Sequence, residues 1–90
     1  MCTMIAQQVK IDGSGKGATG WFTLHEANVS YDHPFNAPYE HALNIDFVNE
    51  SQGPGAHVAV ELSVEGAKTL METIQAVLKR AEMGGYLEKL

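Results

Sequence analysis

Seven side chains able to hold a metal or move a proton crowd into residues 25–46: His25, Glu26, Asp32, His33, Glu40, His41 and Asp46. His33 and His41 flank a connection that carries Pro34 and Pro38, so two strand ends can bring their imidazoles together. With Asp46 they make a candidate metal set. Three protein ligands and one open position suit catalytic zinc, and two His with one carboxylate suit non-haem iron. A divalent Zn, Fe, Cu or Ni ion held there would acidify water or polarise a carbonyl. Asp32 and Glu40 are candidate carboxylate partners, with Tyr31 and Tyr39 as proton donors to a ligand. Asp32 and His33 would face opposite ways on a strand, and only a turn at Pro34 lets them cooperate. The spacing matches no zinc-finger or helical metal motif, and hydrogen-bonded strand-edge histidines are the plain alternative.

Other groups carry weaker signals. Cys2 would serve as an N-terminal nucleophile only after loss of Met1; with Met1 in place, a half-buried thiol is expected. The run Gly13-Ser14-Gly15-Lys16-Gly17 departs from a phosphate-binding loop, because Gly17 follows the lysine where Ser or Thr is needed. It reads as a flexible turn. Trp21 reads as a core or interface anchor.

Composition narrows the classes. Ninety residues with 44% hydrophobic content make a single domain over 1–90, near the lower limit of comfortable independent folding, where a homodimer or larger homo-oligomer would add burial. The net charge of −5 with only six Lys and Arg gives no basic stripe for nucleic acid and no attraction to an anionic membrane. A lone cysteine permits no internal disulfide, and no basic start or long apolar run marks a signal peptide. The cytoplasm is the expected location.

These side chains need a scaffold, and the periodicity predicts four strands and a helix. Thr3–Ile11 alternates as a strand, and Asp12–Gly20 reads as a loop. Trp21–His33 follows with a parity change: Phe22 and Leu24 share one register, and Ala27, Val29 and Tyr31 the other. A bulge or bend near Glu26 would reconcile them. His41–Val48 and His57–Leu62 complete the strands. Ser63 then caps a helix whose Ala67, Leu70, Met71, Ile74, Val77, Leu78 and Ala81 form one apolar stripe, read as core packing, and Gly84-Gly85 stops it. The expected class is α+β: a four-stranded antiparallel sheet with one C-terminal amphipathic helix packed on one face. The opposite face, with Ala42, Asn44, Asp46, Val48, Ala59 and Glu61, is too apolar for plain surface and too polar for a core. A second protomer or a ligand would suit it.

Met1-Cys2-Thr3, Gly13-Ser14-Gly15-Lys16-Gly17, Gly20-Trp21-Phe22, Asp32-His33-Pro34, Asn44-Ile45-Asp46-Phe47 and Val58-Ala59-Val60-Glu61-Leu62 together resemble a family of short bacterial proteins of unknown function. The resemblance covers most of the chain. It implies a bacterial cytoplasmic origin and assigns no activity. Two expectations follow from the residues. One is an oligomeric domain that binds a divalent metal or small molecule at its strand ends, with metal-assisted catalysis open to it. The other is a non-catalytic assembly module that dimerises through the exposed sheet face.

Overall fold

A computed structural model describes residues 5–86. Cys2, the Thr3–Met4 start of the first expected strand, and Leu87 and Leu90 lie outside the described residues. Four strands follow in order, β1 Ile5–Gly17, β2 Gly20–Asp32, β3 Ala42–Val48 and β4 His57–Leu62, and α1 Val64–Met83 closes the described chain. Each strand pairs antiparallel with the next, giving the sheet order β1-β2-β3-β4. The α+β class read from the periodicity is the one observed.

Alternation explains the ladders. Tyr31, Val29 and Ala27 of β2 stand opposite Leu43, Ile45 and Phe47 of β3. The latter three stand opposite Leu62, Val60 and Val58 of β4. Three strands thus present one apolar face, because side chains alternate with period two. The first half of α1 lies over one end of this face, where Ala67, Leu70, Met71 and Ile74 meet Leu43, Ile45 and Leu62. Ser63 caps the helix as expected, its hydroxyl accepting the Gly66 N–H at 2.9 Å. At the other end the Tyr86 N–H reaches the Ala81 carbonyl and the Gly85 N–H the Glu82 carbonyl. Gly85 takes φ 74° to close this paired stop, a conformation that suits a residue without Cβ.

The glycine run corrects the expected loop at Asp12–Gly20. It is strand as far as Gly17, and only Ala18-Thr19 turn the chain. Gly13 and Gly15 pair with Leu24 and Phe22, whose side chains lie against the space that β-carbons would fill. Gly17 lies so close to the start of β4 that a β-carbon there would come within 2.6 Å of the Gly55 carbonyl oxygen. The glycines are spacers in a packed hairpin, and alternation leaves their strand face free of side chains.

The parity change in β2 coincides with a register shift against β1. Lys10 pairs with Glu26 and Gly13 with Leu24, so Ile11 and Asp12 together oppose His25. The extra residue lies in β1, across from the place where a bulge in β2 was expected. The buried positions Phe22 and Ala27 of β2 lie on either side of this shift and differ in parity. Beyond this point β2 overruns β3, and its end is tied to the connection after β3. The Asn49 side chain donates to the Thr23 carbonyl at 2.8 Å and accepts from the Ser51 hydroxyl at 2.6 Å. Leu24 there lines a cavity of about 270 Å³ with Phe47 and Val58.

The mixed opposite face is partly covered by the chain itself. Ala42 is fully buried and Asp32 nearly so. The cover is the connection between β2 and β3, whose backbone is held down on Glu61 of β4.

Candidate functional site

The site is built by one carboxylate and one loop. Glu61 stands opposite Asn44 on the mixed face. Its oxygens accept the backbone N–H groups of Phe35 at 2.5 Å, Asn36 at 3.1 Å and Ala37 at 2.8 Å. Three consecutive N–H groups converging on one carboxylate make a small anion nest. Bonds from Ala37 and Phe35 hold the Glu61 carboxyl below its ordinary range, against a smaller upward push from desolvation. Phe35 meanwhile projects into solvent, 97% exposed.

Fixing this loop sets the distance between its two ends, where His33 and His41 stand. Their rings stack at 4.6 Å between centroids with 30° between planes. Tyr31 extends the stack, 5.7 Å from His41. The His33 Nδ1 lies 2.9 Å from the Glu40 carbonyl oxygen. A carbonyl only accepts, so Nδ1 is the donor in this contact, and Nε2 is the ring nitrogen it leaves unengaged. At the strand end the Asp32 Oδ1 accepts the His33 backbone N–H at 2.7 Å, so the carboxylate is bonded to the main chain of His33.

Tyr31, Asp32, His33, Glu40 and His41 thus come together, Glu40 through its carbonyl. Tyr39 is exposed on the same connection. Asp46 stands apart, four residues along β3 from Ala42, or about 13 Å at the usual strand rise. Its Oδ1 is 3.1 Å from Nε2 of His57, a pair with both side chains about half exposed. His25 is exposed beside the bulge. Among the described residues no group of three or more His, Cys, Asp or Glu is arranged to hold a metal ion.

Two contacts escaped the sequence reading. The His57–Asp46 pair is diagonal across β3 and β4, since Asp46 faces Ala59 and His57 faces Val48. Counting the register outward from the 49–56 connection would have found it. The Glu61 clamp had one signal, a carboxylate on a face otherwise rich in small residues. Asn44 lies beside it, donating to the Asp32 carbonyl at 3.4 Å while its Oδ1 is enclosed without a partner.

Chemically, the arrangement offers one imidazole oriented through its Nδ1, a second imidazole in contact with it, and an aromatic wall. Imidazole nitrogens are donors that suit zinc, copper, iron and nickel ions. No curated protein and no solved structure matches the chain. A family model does match, over residues 1–87, and the chain belongs to the family of unknown function DUF6295.

Proposed function

We propose that this protein is a small binding domain whose site is the His33–His41 pair, taking a divalent transition metal or a small ligand that an imidazole nitrogen can bind. The observation that carries this reading is the hydrogen bond from His33 Nδ1 to the Glu40 carbonyl. Metal-binding histidines almost always donate their other ring N–H in this way, which orients the ring and raises the basicity of the free nitrogen. Two imidazoles leave the remaining positions to water, to a substrate or to groups from another copy. Metal-assisted chemistry would use one of those positions.

The test is elemental analysis of untagged protein, followed by zinc and nickel titration by calorimetry. Stoichiometric uptake that is lost in His33→Ala and in His41→Ala, and kept in His25→Ala, supports the site. No uptake, with no rise in Tm on adding divalent ions, defeats it.

A second reading, assembly, is favoured by a separate observation. No large side chain among the described residues is fully buried. The expected route, through the mixed sheet face, is narrowed because the loop on Glu61 covers Ala42 and leaves Ala59 exposed.

A further inference from the structure

Two imidazoles need further donors to hold an ion, and the described carboxylates around them are otherwise engaged. Asp32 is buried and accepts the His33 backbone N–H, and Glu61 accepts the N–H groups of Phe35, Asn36 and Ala37. Asp46 stands at the other end of β3, with His57. The strand register points to a different donor.

β1 runs antiparallel to β2 with Ile5 opposite Tyr31, so the start of β1 lies at the end of β2 where the site is built. Tyr31 stacks on His41, and His41 on His33. His33 stands two residues beyond Tyr31, and Cys2 three residues ahead of Ile5. Paired strands lie about 5 Å apart and two extended residues span about 7 Å, so the backbones of Ile5 and His33 are at most about 12 Å apart. Three residues of chain reach up to about 10 Å from Ile5, and the cysteine and histidine side chains span the remainder. A tether this short keeps the one thiol of the chain at high effective concentration beside the imidazoles.

We infer that Cys2 is the third ligand of the His33–His41 site, which makes it a thiolate–imidazole centre for zinc. This inference rests on the metal-binding reading of the histidine pair. Zinc takes sulfur and imidazole nitrogen together, and three protein ligands leave its fourth position to water or a substrate. The thiol gives up its proton on binding, so uptake releases a proton and strengthens as pH rises toward neutrality. A thiolate also selects against magnesium and calcium, which take oxygen donors.

The test is cobalt(II) titration of the full untagged chain, since cobalt replaces zinc in tetrahedral sites and a thiolate ligand gives it a charge-transfer band in the near ultraviolet. The band should saturate at one equivalent and vanish when zinc is added. Cys2→Ser should abolish it and weaken zinc binding by more than the about 10–100-fold that loss of an outer-shell partner costs. His33→Ala should abolish it as well, and His25→Ala should leave it intact. Cobalt uptake that needs His33 but shows no thiolate band overturns the third ligand and leaves the histidine reading standing. Zinc affinity unchanged in Cys2→Ser does the same. No uptake of either ion overturns both. A metal-free measurement tests reach alone: His33→Cys, oxidised by glutathione disulfide, should form an internal disulfide with Cys2 many times faster than His57→Cys does. Equal rates overturn the proposal, whatever metal the chain takes up.

Discussion

Replacing Gly17 by alanine separates a packed glycine strand from a flexible glycine loop. In a loop, Gly→Ala stabilises by about 0.4–1 kcal/mol, because the unfolded chain loses freedom. In the packed hairpin the new methyl group would lie 2.6 Å from the Gly55 carbonyl oxygen and 3.2 Å from the Phe22 ring. A backbone oxygen in the connection to β4 cannot swing aside, so the hairpin must move off it. Overpacking of this kind costs about 1–3 kcal/mol, and the gain of up to about 1 kcal/mol from replacing glycine offsets part of it. Gly15→Ala is the internal comparison. Its methyl group would press on Leu24 Cδ2 at 2.9 Å, the far end of a flexible side chain that can turn away. Gly17→Ala should therefore lie about 2 kcal/mol below Gly15→Ala, a gap of roughly 10 °C in Tm for a domain this small. Urea unfolding at one fixed chain concentration measures it, with an unchanged m-value showing that only the native state was altered. Equal stability of the two variants, or stabilisation by Gly17→Ala, would refute the close approach of β1 to β4.

Three further outcomes follow from single contacts. Asn49→Ala removes a buried side chain that donates to the Thr23 carbonyl, tying β2 to the 49–56 connection, and accepts from Ser51 within it, so urea unfolding should register a loss of about 1–3 kcal/mol. Ala42→Leu forces three carbons under the loop at a position with no exposure, and the same assay should show a loss of about 1–3 kcal/mol. Asp46→Asn, by contrast, breaks only a half-exposed pair with His57; its effect should stay below about 1 kcal/mol and shrink as salt is added.

The helix and the β3–β4 hairpin were legible in the sequence because each rests on local chemistry. Ser63, the stripe from Ala67 to Ala81 and the Gly84-Gly85 stop are all signals read within a few residues. The parity change in β2 was equally plain, but the extra residue beside it lies in the partner strand, at Ile11 and Asp12. A bulge belongs to a pair of strands, and one strand's pattern does not say which carries the extra residue. Gly13 to Gly17 misled for a different reason. Glycine is the usual residue of turns, and only the bulk of Phe22 and Leu24 opposite shows why it stands in a strand. For the site, prolines on the 33–41 connection pointed to two strand ends that bring imidazoles together, and the His33 and His41 rings lie 4.6 Å apart. Asp46 was grouped with them on sequence proximity, whereas strand rise carries it to the His57 end of β3.

Glu61 links the stability of the fold to the shape of the site, and that link is open to test. Its carboxylate is held charged by the N–H groups of Ala37, Phe35 and Asn36, so its folded pKa lies below the ordinary value of 4.5. A depressed carboxylate stabilises the fold above its unfolded pKa, and the stabilisation fades as pH falls through the folded value. Thermal unfolding should therefore lose Tm on acidification below about pH 4.5, and Glu61→Gln, which has one acceptor oxygen and no charge, should flatten that decline. At neutral pH the same substitution loosens the loop whose ends carry His33 and His41. If the fixed loop is what holds those rings in contact, Glu61→Gln should weaken zinc binding toward the lower end of the about 10–100-fold lost when an outer-shell partner is removed. His33→Ala would abolish binding outright. Unchanged zinc affinity in Glu61→Gln, in a protein that binds zinc through His33, would show that the two histidines find their ligand without the clamp.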